Sequence, residues 1–388
     1  MKKGVIILAL AIGGLVFISC KNKTILPATK IKSGTEAAMN AGPACKAACG
    51  DTSQETNWAI CYSCRCKAAM DGWLPTPEEV SCDAAKEIPI YQALNSPQGM
   101  TLKQITKAET ECFNPPRLSC AVDEESGGCL PGSKLGQMQR GNVWAKWICR
   151  REHVSDKLFD PRHNYEDHGM ILFNQSTGAT CHFDDSNNIT NGNNNPDVDL
   201  TGGDQTKVAA FLKTYTQQEG ENCITCHDND PFMYSPYLKG VGWKTSDAFT
   251  SGRYFAVHTV AEEKSHVVSL TAEKAGPCLT CHRIGNKRTC GDFAADAAGL
   301  SNHSGLHKWM TARAPNMGDG TDLENAPPWG IATGPNGEKW PFPAWMPPDL
   351  GPEEATAATW QKEYGEAVQT IMTCCAKPDA PGCTWETL

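Results

Sequence analysis

The hydrophobic pattern is uneven from the first residues. Lys2 and Lys3 precede an unbroken apolar run, Gly4 to Ile18. That run is too short for a membrane span of about 20 residues, and no later segment reaches the roughly 18 consecutive apolar residues of one. The charged-then-apolar order is that of a secretory leader. After Cys20 a stretch rich in Lys, Thr and Ser predicts a flexible tether to about residue 38. Beyond it the apolar positions come in short pieces. Thr76-Pro77-Glu78-Glu79 has proline at the first helical position and acids in the first turn, a helix start. Gly136 to Arg151 shows helical spacing at Val143, Trp147 and Ile148. Met170-Ile171-Leu172-Phe173 reads as a strand, with a turn at Ser176-Thr177-Gly178 and a second short strand completing a hairpin. Asp184 to Asp204 has no apolar period and is packed with Asn, Asp and Gly. It is expected to be a solvated loop and a boundary near residue 200, and its oxygens could bind calcium, although EF-hand spacing is missing. Val208, Phe211, Leu212 and Tyr215 then share a helical face, with Gly220 at the stop. Trp360, Tyr364, Val368 and Ile371 line a long amphipathic helix near the end.

Composition changes this picture in two ways. Glycine and proline together supply 60 of 388 residues, so much of the chain must run as irregular connections. The 20 cysteines are too many for a reduced cytosolic enzyme and place folding in an oxidising compartment. Ten of them fall between Cys45 and Cys149, which predicts short helices stapled by disulfides. Cys374 and Cys375 are adjacent and are expected to reach different partners, Cys383 among them. The leader ends in Val16-Phe17-Ile18-Ser19-Cys20, which resembles the lipobox of bacterial lipoproteins. That resemblance implies cleavage before Cys20, lipid on Cys20, and a membrane attachment by lipid alone. Losing residues 1–19 removes two lysines and no acid, taking the net charge from −9 to −11. Such an acidic surface disfavours nucleic acid.

The chemistry is concentrated in two five-residue segments, Cys223-Ile224-Thr225-Cys226-His227 and Cys278-Leu279-Thr280-Cys281-His282. Both read C-x-x-C-H, the attachment signature of haem c. Two thiols on one tight turn can each add to a haem vinyl group, and the neighbouring imidazole then reaches the iron. At this chain's cysteine and histidine frequencies roughly 0.03 copies are expected by chance, so two copies carry weight. Gly178-Ala179-Thr180-Cys181-His182 has only the second half of the motif. We read Cys181 as a disulfide cysteine and His182 as an ordinary surface residue. A single-thioether third haem and a distal-ligand role for His182 are the lesser alternatives. Parity bears on this, because one lipidated and four haem-bound cysteines leave 15, an odd number. Cys61-Tyr62-Ser63-Cys64-Arg65-Cys66 has Arg65 where the ligand histidine would stand, and reads as disulfide staples. No P-loop, G-x-G-x-x-G after a strand, H-E-x-x-H or G-x-S-x-G is present.

The two motifs resemble those of c-type cytochromes. The resemblance implies two haems c, thioethers at Cys223, Cys226, Cys278 and Cys281, and proximal iron ligands at His227 and His282. Candidate distal ligands are His258, His303, His307 and Met346. Met346-Pro347-Pro348 and the helix after it are similar to the distal loop and C-terminal helix of class I cytochrome c, with 64 residues from His282 to Met346. The motifs stand 55 residues apart, too close for a full class I domain around the first haem, which favours two haems held near one another. The expected fold is mainly α, with short helices, a small β-hairpin and much irregular loop. The expected segments are a signal peptide (1–19), lipidated Cys20 and tether (20–38), a cysteine-rich domain (39–200) and a di-haem domain (201–388). The function implied is electron carriage at the bacterial cell envelope between redox partner proteins. Two other classes stay open: a di-haem enzyme with one open iron, as in di-haem peroxidases, whose motifs lie wider apart, and a haem-containing binding or sensory lipoprotein.

Overall fold

The computed structural model describes residues 42–89, 91–96, 99–104, 106, 131–150, 165, 167–184, 195–215, 223, 227–232, 241–242, 254–259, 268–279, 283–287, 289–290, 331–333, 339–341 and 366–387. In chain order its first elements are α1 (Pro43–Gly50), α2 (Glu55–Ala69), β1 (Lys86–Glu87), β2 (Tyr91–Ser96) and β3 (Gly99–Gln104). Next come β4 (Lys134–Arg140), β5 (Val143–Arg150), β6 (Asp167–Asn174), β7 (Ala179–Phe183), α3 (Gln205–Thr214) and β8 (Phe255–Ala256). The rest are β9 (Val268–Leu270), α4 (Gly276–Leu279), β10 (Ile331–Thr333), β11 (Lys339–Pro341), α5 (Glu366–Ala376) and β12 (Trp385–Thr387).

A six-stranded sheet in the order β1-β4-β5-β6-β7-β8 is the organising element. Its pairs are antiparallel except β7 with β8, which run parallel. Four strands form a second sheet, β11-β10-β3-β2, and β12 pairs with β9. The expectation of a mainly α chain is therefore wrong: the described residues form a mixed α and β structure, and the anticipated hairpin, β6 with β7, is one part of a larger sheet. The segment from Gly136 to Arg151, expected to be helical, is the β4–β5 hairpin turning at Gly141-Asn142. The misreading has a physical cause. β5 is covered on both faces, with Val143 and Ala145 through Cys149 all buried, so the alternation that marks a half-exposed strand is missing. The close approach of the two strands also needs a glycine, because a Cβ on Gly136 would fall 2.0 Å from the Trp147 ring.

Strand alternation sorts the sheet's side chains onto two faces. On the first, Ala145, Trp147, Cys149, Met170, Leu172, Ala179, Cys181 and Phe183 share a core with α2 and α3. On the second, Leu135, Ile148 and Phe173 pack with Ile88, Phe232 and Val241. α2 has no glycine or proline, and Trp58 through Cys66 are all buried. Ser63 repays its burial by donating to the Val198 carbonyl at 2.7 Å and accepting from the Leu200 amide at 2.8 Å. The described part of the Asn-rich segment, residues 195–200, accordingly runs against α2 with Asn195, Val198 and Leu200 buried, and is not a solvated loop. α3 begins where Asp204 accepts from the Thr206 and Lys207 amides, and it buries Val208 and Phe211 with Tyr215 just beyond, the face its spacing predicted. Thr76 and Glu79 exchange the two hydrogen bonds of a capping box, but only a turn follows, since no apolar period continues from it.

Six disulfides join described residues. Cys45–Cys64 and Cys49–Cys61 fasten α1 to α2, Cys66–Cys181 fastens α2 to β7, and Cys82–Cys149 fastens the 3-10 turn Cys82–Ala84 to β5. Cys290–Cys375 and Cys374–Cys383 tie the C-terminal unit, so the adjacent pair does reach two different partners. Bonds of this kind form in an oxidising compartment. Among the described residues no helix is long and apolar enough to cross a membrane.

Candidate functional site

Cys223 and His227 lie one helical turn apart. The His227 amide donates to the Cys223 carbonyl at 2.7 Å, the bond that brings the first thiol and the imidazole of a C-x-x-C-H segment to one side. Neither Cys223 nor Cys278 of the second motif joins a disulfide among the described residues. The segment that follows, residues 228–232, lies against the second face of the sheet. Phe232 meets Phe173 edge-on with centroids 5.9 Å apart, and the Lys146 ammonium sits 4.6 Å above the Phe232 ring centroid.

This docking carries the His227 ring to the His182 ring, at a centroid separation of 6.1 Å and an interplanar angle of 47°. His182 is therefore not the surface residue expected of it; it is 3% exposed. Alternation along β7 explains the placement. Cys181 points to the first face and bonds Cys66, so its neighbour His182 points to the second, opposite Ile171 of β6. The backbone of His182 is held from outside the sheet: its amide donates to the Tyr62 hydroxyl, which donates in turn to the His182 carbonyl, both at 2.9 Å. β8 bonds β7 only through Gly178 and Thr180, so the Tyr62 hydroxyl continues the ladder where that strand ends.

The electrostatics keep these imidazoles neutral. Burial, with repulsion from His227 and His258 added, holds His182 well below the usual imidazole value. Burial brings His227 down to about 4, against the carbonyls of Asp230 and Pro231 that favour its charged form. Each ring offers a lone pair rather than a charge, which is the form in which histidine binds a metal. Nδ1 of both rings is sealed from solvent without a hydrogen-bond partner among the described residues. Tyr254 closes the edge of the site, fully buried, its hydroxyl 3.4 Å from Nε2 of His182. Burial and then the proximity of Cys223 keep its phenol protonated, well above the usual value. His258 follows β8, half-buried, and its carbonyl accepts from Arg65 at 2.7 Å. Arg65, the residue that disqualified the Cys61–Cys66 segment as a haem site, thus serves as a brace between α2 and this corner, while Cys61, Cys64 and Cys66 are disulfide-bonded as expected.

The residues after the two motifs meet each other. Arg283, next to His282, pairs with Asp230 at 3.2 Å, with 17% and 9% of the side chains exposed. Asp228, next to His227, accepts from the Lys287 amide at 2.7 Å, the Thr289 hydroxyl at 2.7 Å and the Thr289 amide at 3.3 Å. Burial raises both carboxyls, and these donors and Arg283 work against the rise. The loop can wrap Asp228 only at a glycine, since a Cβ on Gly285 would stand 2.5 Å from the carboxyl group. In the second motif Cys278 sits in α4, and Cys278 and Leu279 pack on a core of Leu270, Ala272, Ala275, Ile284 and Ile371.

Of the residues named from sequence, Cys223, His227 and His258 are gathered at one site, and Cys278 packs on a separate core with Leu270, Ala275 and Ile371. Cys226, Cys281, His282, His303, His307, Met346 and Cys20 lie outside the described residues, as do the leader and tether, Trp360 and Tyr364. Reading the sequence ranked His182 as a surface residue first and a distal ligand second, and missed Tyr254 and the Asp228–Asp230–Arg283 cluster. The Cys181-His182 pair left a trace as half of a C-x-x-C-H motif, and its burial followed from a strand covered on both faces. No protein-family model, no curated protein and no solved structure matches this chain.

Proposed function

We propose that this chain is a di-haem c-type cytochrome that carries single electrons at the bacterial cell envelope, anchored through lipid on Cys20. The observation that carries the reading is the buried pair of neutral imidazoles, His227 and His182, met where the first C-x-x-C-H segment packs on the sheet. The donor set fits haem c: Cys223 and Cys226 would form thioethers with His227 as ligand, and Cys278, Cys281 and His282 would do the same for the second group. Bound haem would supply one-electron chemistry at its iron.

The chain's own residues do the remaining work. The Cys66–Cys181 bond and the Tyr62 hydroxyl fix the strand from which His182 projects. Tyr254 is buried beside His182 and keeps water from it. The Asp230–Arg283 pair and the Asp228 hydrogen bonds join the residues next to His227 and His282, so the two attachment segments are held as neighbours. That arrangement suits passage of an electron from one haem to the other and on to redox proteins of the envelope.

The test is covalent haem content. Matured with a haem-attachment system, the purified chain is expected to carry two covalent haems by mass and by alkaline pyridine spectrum. Replacing Cys223 and Cys226 together, or Cys278 and Cys281 together, with alanine should each remove one. Two haems retained in either double variant, or none in the native protein, overturns the reading. Cys20→Ser should release the chain from membranes into the soluble fraction.

A further inference from the structure

We infer that His182 is the second axial ligand of the iron held at Cys223–His227, which closes that iron to exogenous ligands. The inference rests on the haem reading above and adds a residue that no C-x-x-C-H motif supplies. Two imidazoles bound on opposite sides of one metal, each through a bond of about 2.0 Å, have ring centres roughly 6.3 Å apart. The His182 and His227 rings stand at 6.1 Å. Both axial rings contain the iron–nitrogen axis in their planes and may turn about it freely, so an interplanar angle of 47° is compatible with the geometry.

Three further observations point to His182 rather than to His258. Its ring is sealed from water and its Nδ1 has no hydrogen-bond partner among the described residues, although buried polar atoms are nearly always satisfied. Its neighbour Nε2 has only a long contact, 3.4 Å, to the Tyr254 hydroxyl. Its backbone is locked by two hydrogen bonds to Tyr62 and by the adjacent disulfide, which is the preorganisation a ligand needs. His258, by contrast, is half-buried and lies beyond the end of the two-residue strand β8. An iron saturated by two imidazoles passes electrons without binding small molecules, and it lies lower in potential than one with a methionine ligand.

The experiment compares ferric spectra and midpoint potentials of the haem-loaded native chain, His182→Ala, His182→Met and His258→Ala. His182→Ala should keep two covalent haems while one per chain turns from low-spin to high-spin and becomes able to bind carbon monoxide when reduced. Added imidazole should restore the low-spin signal. His182→Met should raise one of the two potentials and leave the other in place. Unchanged low-spin signals in His182→Ala, or loss of one low-spin haem in His258→Ala instead, overturns the assignment. Should His182→Ala fail to accumulate, His182→Met decides: a shifted potential supports the ligand and two unshifted potentials refute it. Absence of covalent haem from the native chain is a different result, and refutes the cytochrome reading itself.

Discussion

Around His227 the chain is gripped by a sheet, and around Cys278 by helices and two disulfides. The first segment lies on a six-stranded sheet of which every strand but β8 comes from upstream, and its partner imidazole is delivered by β7. The second sits in a four-residue helix packed on α5, in a small core closed by Cys290–Cys375 and Cys374–Cys383. The difference assigns a task to the cysteine-rich amino-terminal region, which has no haem motif of its own. Its disulfides and its sheet make the wall against which the segment after the first motif packs. A sheet scaffold serves one site and a small helical core closed by two disulfides the other, with Asp228, Asp230 and Arg283 as the joint between them.

Breaking the scaffold should therefore separate the two sites. Replacing Cys66 and Cys181 with alanine opens a link across 115 residues, which chain entropy values at about 5 kcal/mol. Opening Cys374–Cys383, a separation of 9, should cost only about half as much, near 2.5 kcal/mol. Denaturant unfolding of the two variants checks the order, and, on the proposed di-haem reading, only the first should alter the spectrum of a haem bound at His227. A reversed order would mean that the sheet does not dominate stability.

The joint comes next. Arg283→Met leaves Asp230 buried without its cation and is expected to destabilise the chain by about 3 kcal/mol, the low end for a buried pair. Slower electron equilibration between the two haems, followed by flash reduction, should accompany it. A smaller effect is expected of Tyr62→Phe. It removes both hydrogen bonds to the His182 backbone and should cost about 1–2 kcal/mol, with a slight broadening of the first haem's low-spin signal.

The smallest effect concerns the contact of α2 with residues 195–200. Burial raises the Asp199 carboxyl, but hydrogen bonds from Lys67 and Thr201 and the Lys67 charge outweigh it, leaving the pKa below 3.8. A carboxylate depressed in the folded state stabilises fully above its unfolded pKa and loses that contribution as pH falls through the folded one. Asp199→Asn should thus flatten the acid limb of the stability curve by lowering stability near neutral pH, with the two curves meeting below the folded pKa of Asp199. An unchanged acid limb would remove Asp199 from the account.

How much of this was legible in the sequence differs by element. The β6–β7 hairpin could be read because Met170–Phe173 is a compact apolar run before a Ser-Thr-Gly turn. α3 could be read because one of its faces meets water and its period survives. The β4–β5 hairpin could not, because a strand covered on both faces has lost its alternation, and Val143, Trp147 and Ile148 then mimic a helical face. His182 was expected at the surface because nothing local showed that β7 would be covered on both faces.

By itself the sequence determined the chemistry available: two thiol pairs with adjoining histidines, enough cysteine to require an oxidising compartment, and an adjacent pair at Cys374 and Cys375 that had to diverge. These follow from covalent spacing, which the chain carries wherever it folds. Only the tertiary structure decided which cysteines join, that Arg65 braces the His258 carbonyl, and that His182 meets His227 across 45 residues of sequence. Those outcomes depend on which face of a two-sided sheet each residue takes and on what packs there. A face is settled by register and by burial of the whole sheet, which no local stretch of residues contains.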